Sequence, residues 1–161
     1  MTRVVISSDH ADIPLRYAIA AHVEAAGYEV VDIGPETDAS TDYPKHGQAA
    51  ANMVASGDCA LGIIICGTGQ GIMMAANKVA GIRCGVCSDT FSARMIRQHN
   101  NANMLSMGAR VRRSFIATSM PPPWIMKPGM MRWKTRPSKN GVGLERPASS
   151  EYSFSPVARP I

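Results

Sequence analysis

An apolar run, Leu61-Gly62-Ile63-Ile64-Ile65, passes directly into Cys66-Gly67-Thr68-Gly69-Gln70-Gly71 and then into Ile72-Met73-Met74-Ala75-Ala76-Asn77-Lys78. The first piece has the length and branching of a buried strand, and the last reads as a helix. A chain that goes from strand to helix across a glycine-rich turn is restricted to a few α/β architectures. The turn also carries a thiol. A helix start offers unpaired N–H groups and partial positive charge, a setting suited to thiolate chemistry. Three glycines at alternate positions let the backbone approach an anionic ligand closely.

The rest of residues 1–111 repeats the alternation. Strands are expected at 4–6, 28–33, 60–65, 83–87 and 104–107, and helices at 13–26, 43–55, 71–79 and 89–98. Asp12 is placed as an N-cap with Pro14 in the first turn, and Gly27 as the stop. Single helices between strands predict a Rossmann-like three-layer sandwich around a five-stranded parallel sheet with right-handed crossovers. In such sheets ligands bind beyond the carboxyl ends of the strands. Asp9 and His10 follow the first strand, Cys66 to Gly71 the third, and Ser88-Asp89 the fourth.

The chain changes character near Val111. Residues 1–111 carry two more acids than bases, whereas residues 112–161 carry seven more bases than acids and eight of the 11 prolines. Two regions follow: a globular unit at 1–111 and an irregular, basic, Pro-rich tail at 112–161. The tail lacks aromatic-basic interleaving and any nucleic-acid motif, so no nucleic-acid partner is expected. No apolar stretch is long enough for a membrane span, and nothing resembles a secretory signal. The four cysteines, at 59, 66, 84 and 87, sit in or beside apolar runs, the usage of a reduced cytoplasmic protein.

The glycine turn is not a P-loop, since no Gly-Lys-Ser/Thr follows. Gly67, Gly69 and Gly71 give G-x-G-x-G rather than the dinucleotide spacing. A Rossmann-type nucleotide module and a purely structural turn remain as alternatives. Cys84-Gly85-Val86-Cys87 matches C-x-x-C, but on a strand positions i and i+3 face opposite ways, so both read as packing. No metal or other cofactor is expected. His22 and His46 read as ordinary helix residues, while His99, in His99-Asn100-Asn101-Ala102-Asn103, is either a cap beyond the fourth helix or a general acid/base.

Seven segments together resemble the type B ribose-5-phosphate isomerases and the related galactose-6-phosphate isomerases. They are Ser8-Asp9-His10-Ala11, Asp42-Tyr43-Pro44, Cys66 to Gly71, Ala75-Ala76-Asn77-Lys78, Gly81-Ile82-Arg83, His99 to Asn103 and Gly108-Ala109-Arg110. The resemblance covers residues 3–111. It implies interconversion of ribose 5-phosphate and ribulose 5-phosphate through an enediolate without a metal, in a homodimer. By that resemblance Cys66 is the base. Thr68 and the N–H groups of Gly67, Gly69 and Gly71 face the oxyanion. His99 opens the furanose ring, Asp9 and Tyr43 meet sugar hydroxyls, and Asn100 holds substrate oxygens. His10 and Arg110 contact the phosphate. Some members use a glutamate where this chain has Ile72, which marks the cysteine-base type.

Past Val111 the family continues with a helix and a Gly-Gly-Arg-His-x-x-Arg segment, whereas this chain runs through Pro121-Pro122-Pro123, where no helix can continue. The abrupt switch has the character of a reading-frame change. Arg132 and Arg136 keep an i, i+4 spacing near the place of the family's arginine pair. The alternative within the family is an impaired member that binds a phosphorylated sugar without turning it over.

Overall fold

The computed structural model describes residues 1–111 and the backbone of 135–138 and 141–144. The chain divides into two compact units, Met1–Met126 and Lys127–Ile161. In the first, strands β1 (Arg3–Ser8), β2 (Glu29–Asp32), β3 (Leu61–Cys66), β4 (Cys84–Val86) and β5 (Met104–Gly108) alternate with helices α1 (Ile13–Ala25), α2 (Tyr43–Ala55), α3 (Gln70–Ala76) and α4 (Thr90–Asn100). All strand pairs are parallel, in the order β2-β1-β3-β5-β4.

Every residue of β3 is buried, as a central parallel strand requires. Its alternate side chains feed two cores. Ile63 and Ile65 join Val4, Ile6, Leu105 and Met107 against Leu15, Ile19 and Val23 of α1 and Ala93 of α4. Ile64 and Cys66 join Val5 and Met104 against Ala50, Ala51 and Val54 of α2 and Ile72 and Ala76 of α3. The three-layer sandwich expected from the alternation is therefore present.

The caps explain the helix limits. Asp12 Oδ1 accepts from the Leu15 N–H at 3.1 Å, and Asp89 Oδ1 from the Ser92 N–H at 2.7 Å. Most limits shift by one or two residues, and two helix ends have a specific cause. Helix α3 stops at Ala76 because Asn77 turns its amide onto β4, donating to the Cys84 carbonyl at 2.8 Å and accepting from the Cys84 N–H at 2.9 Å. Helix α4 continues through His99 and Asn100, closed by Asn101 in the left-handed conformation at φ 49°. His99 is thus part of the last helical turn and not a residue beyond it.

In the second unit, β6 (Thr135–Ser138) and β7 (Gly141–Leu144) pair antiparallel, an ordered ribbon within a segment whose sequence reads as irregular. Arg132 lies outside the described residues, and Arg136 is described only as backbone in β6. Among the described residues no helix is long and apolar enough to cross a membrane.

Candidate active site

The connection from β1 leads to α1 on one face of the sheet, and that from β3 leads to α3 on the other. Strands β1 and β3 are neighbours, so their carboxyl ends flank a crevice at the point where the winding reverses. Asp9 and the Cys66 to Gly71 turn lie there, with Arg110 and Tyr43 against the turn. The Asp9 N–H donates to the Ile65 carbonyl at 3.0 Å, which extends β1 pairing up to the turn. Asp9 is buried and accepts from the Ala11 N–H at 2.8 Å. The Arg110 N–H donates to the Gly67 carbonyl at 3.0 Å, which brings the Arg110 stem alongside Gly67.

Cys66 faces α2 and α3 and is 5% exposed. Its Sγ accepts from the Gly69 N–H at 3.1 Å. The Gly69 donor expected to face an oxyanion is thus turned to the sulfur. Gly69 itself sits at φ 79°, and a Cβ there would lie 2.9 Å from the Met107 carbonyl carbon, so only glycine fits. A Cβ on Gly71 would lie 2.8 Å from the Tyr43 ring, so the missing side chain seats Tyr43 on the turn. Thr68 is exposed, and its Oγ1 accepts from the Gln70 N–H at 3.3 Å. A cavity of about 180 Å³ opens on the β4 side of the turn, between Thr68, Gln70, Ser88 and Gly108.

His99 and Asn100 are not part of this assembly. Helix α4 returns to the amino ends of the strands: the Gly62 N–H, at the start of β3, donates to the Asn103 carbonyl at 3.0 Å, and Arg83 Nε donates to the Asn100 carbonyl. Cys66 ends the same six-residue strand. At ~3.3 Å per residue the two ends lie about 17 Å apart. Within one chain the exposed His99 and Asn100 therefore face away from the thiol.

Four contributors carried no sequence signal of their role. Ser106, fully buried on β5, donates from Oγ to the Gly69 carbonyl at 2.6 Å and locks the turn. Arg16, 1% exposed, interrupts the apolar face of α1. It donates from Nε to Asp32 Oδ2 and from Nη1 to Ser8 Oγ, both at 3.0 Å, and Ser8 immediately precedes Asp9. Thr41 donates its backbone N–H to His10 Nδ1, and His46 in turn meets the Thr41 hydroxyl. Burial pushes the His46 imidazole below its ordinary 6.5; Asp9 opposes the shift, while Arg16, Lys45 and His10 add to it. The unfolded chain then binds this proton more readily than the folded one. The His46 contribution to stability is therefore complete above pH 6.5 and falls away as pH drops below it.

The other cysteines are free and buried. Cys84, in β4, and Cys87, one residue past it where the Cys87 N–H still pairs with the Ser106 carbonyl of β5, belong to opposite cores. Burial pushes the Cys84 thiol up to about 12, with Cys87 adding to it, and the Cys87 thiol up to about 11, with Asp89 adding. Neither is a nucleophile near neutrality. Alkylation of the folded chain at pH 8 is expected to leave both unmodified on peptide mass mapping; rapid labelling of either would contradict their placement. Among the described residues no group of three or more His, Cys, Asp or Glu is placed to hold a metal ion.

The fold and site are those of an open parallel α/β protein with a thiol-bearing glycine turn at its reversal point, and comparison with known proteins identifies the family. The ribose/galactose isomerase family model matches residues 4–136. Ribose-5-phosphate isomerase B of Escherichia coli K12 is 46% identical over 111 residues, 69% of this chain and 74% of that protein. The structure of Clostridium thermocellum ribose-5-phosphate isomerase B superposes with a TM-score of 0.73 at 45% identity, over 77% of this chain and 84% of that one. Ribose-5-phosphate isomerase B of Mycoplasma genitalium, solved with bound ribulose-5-phosphate, superposes with a TM-score of 0.64 at 40% identity, over 68% and 73%. The chain belongs to the ribose/galactose isomerase family and is a sugar-phosphate isomerase.

Proposed function

We propose that the chain interconverts ribose 5-phosphate and ribulose 5-phosphate with Cys66 as the proton-transfer base. The observation that carries this is the position of Cys66: at the carboxyl end of β3, next to the Ile65 carbonyl that takes the Asp9 N–H, in the turn on which Tyr43 sits, with its sulfur held by the Gly69 N–H. The bound ribulose-5-phosphate of the Mycoplasma relative supports the substrate class. Cys66 Sγ takes the C2 proton of the open-chain aldose. The C–H electron pair becomes the C1–C2 double bond, and negative charge gathers on O1. The sulfur then returns its proton to C1, the O2 proton passes to O1 to make the C1 hydroxyl, and the C2 carbonyl forms. Thr68 and the N–H groups of Gly67 and Gly71 stabilise the charge on oxygen. Asp9 and Tyr43 orient the sugar hydroxyls, while His10 and Arg110 hold the phosphate. Four free cysteines support a reducing, cytoplasmic setting.

His99 and Asn100 serve this reaction from a second copy of the chain. Their exposure and their distance from Cys66 in one chain support a homodimer in which each site takes the thiol from one copy and the imidazole from the other. His99 then opens the furanose ring before isomerisation. Coupled detection of ribulose 5-phosphate from ribose 5-phosphate tests the activity. Mixing inactive Cys66→Ala and His99→Asn chains tests the shared site. Half of the random dimers would pair the two variants, each with one intact site, so about a quarter of wild-type activity should return. No recovery on mixing folded, exchanging chains would overturn the shared site.

A further inference from the structure

A hydrogen-bonded chain that ends on His10 contains two residues, Thr41 and His46, that the reaction above does not use. The Thr41 backbone N–H donates to His10 Nδ1 at 3.1 Å, and Thr41 Oγ1 lies 2.9 Å from His46 Nε2. All three residues are partly buried. A neutral imidazole accepts on one nitrogen and carries its proton on the other. A main-chain N–H aimed at Nδ1 therefore selects the tautomer of His10 that bears its proton on Nε2. That N–H is the kind of donor a phosphate oxygen accepts from.

Thr41 lies between β2 and α2, in a stretch without helix or strand. What holds its backbone on His10 is the anchoring of its own side chain, and that anchor is His46, in the first turn and a half of α2. The same helix start carries Tyr43 onto Gly71. Burial disfavours the charged form of His46, so that its Nε2 and the Thr41 hydroxyl share one proton, with Asp9, Arg16, Lys45 and His10 as the neighbouring ionisable groups.

We propose that His46, acting through Thr41, is a positioning residue that sets the tautomer and orientation of His10 for phosphate binding. The phosphate part rests on the isomerase reading. The tautomer is a property of the chain without substrate. Three variants separate the possibilities. His46→Phe keeps ring bulk and removes the nitrogen. His46→Gln restores a polar group at similar reach. Thr41→Val removes the hydroxyl and keeps the N–H.

The first readout is the pair of ring-nitrogen shifts of His10 by long-range proton–nitrogen correlation at pH 7.5, without substrate. The wild type and His46→Gln should show the Nε2–H tautomer, and His46→Phe and Thr41→Val a mixture. The second readout is steady-state turnover of ribose 5-phosphate. KM should rise about tenfold in His46→Phe and in Thr41→Val, the order of one charge-assisted contact, with kcat within about twofold. The double variant should be no worse than either single, since both break one path. Overturning results are a His10 tautomer unchanged by His46→Phe and Thr41→Val, or a loss in His46→Gln as large as in His46→Phe. If His46→Phe fails to fold, Thr41→Val carries the same readouts. Should the tautomer shift as expected in a chain that never isomerises ribose 5-phosphate, the isomerase reading fails and the positioning role of His46 stands.

Discussion

Replacing Cys66 by alanine should lower turnover of ribose 5-phosphate by roughly 10²–10⁴-fold, the usual range for a positioned acid or base. The fold should survive. Cys66 is a small side chain at the rim of one core, and its truncation removes only Sγ and one hydrogen bond, on the order of 1 kcal/mol. The turn keeps its other ties: Ser106 Oγ on the Gly69 carbonyl, and the Ala109 N–H on the Cys66 carbonyl at 2.8 Å. Circular dichroism and the urea midpoint of Cys66→Ala should therefore stay near those of the parent, so that lost turnover reports chemistry. Cys84→Ala is the matched control: equally buried, in the same core, and expected to retain most activity. A folded Cys66→Ala protein with ordinary turnover would remove the thiol from the mechanism.

The largest loss of stability is expected at Arg16. Its guanidinium is almost wholly buried, pairs with Asp32, bonds Ser8 and lies 4.8 Å from the centre of the Tyr17 ring. A side chain on Gly34 would occupy the same space, so the chain reserves room for the arginine. Arg16→Ala empties that room, strands Ser8 Oγ and leaves Asp32 without its partner. Breaking a buried ion pair from one side costs about 3–5 kcal/mol. Asp32 retains some contact with water, at 28% side-chain exposure, which argues for the lower end, about 3 kcal/mol. Arg16→Met keeps most of the volume and should lose less. Pairing it with Asp32→Asn should recover part of the loss, because the orphaned charge is then gone. Urea midpoints for the four proteins decide it. A change under about 1 kcal/mol in Arg16→Ala would show that water fills the site and satisfies both partners.

Residues whose role follows from local pattern were legible in the sequence. The alternation of apolar runs with amphipathic stretches specified the sheet and its helices. The Asp12 cap was visible because its geometry depends on neighbours three residues away. The alternation expected along residues 83–87 puts Cys84 and Cys87 on opposite faces, and they join different cores. Local pattern failed where a long-range partner decides. Asn77 leaves its helix for a strand seven residues later. Ser106 and Gly69 are 37 residues apart, and nothing around either one signals the contact. Nothing in its own helix singles out Arg16, because its compensating groups come from β1 and β2. His99 exposes another limit. The sequence motif groups it with Cys66, while the direction of α4 sends it to the far end of the sheet.

That end-to-end separation ties catalysis to concentration. If the thiol and the imidazole meet only across two chains, a dilute solution holds no complete site, and specific activity falls on dilution with the dissociation constant of the pair as its midpoint. The substrate enters the same equilibrium. A sugar phosphate gripped by both copies binds the pair and not the single chain, so by mass action it tightens the association by RT ln(1 + [L]/Kd) for each occupied site. The enzyme would then be assembled in part by what it consumes. Its apparent substrate dependence would steepen as protein concentration falls, and flatten again once the chains are paired without help.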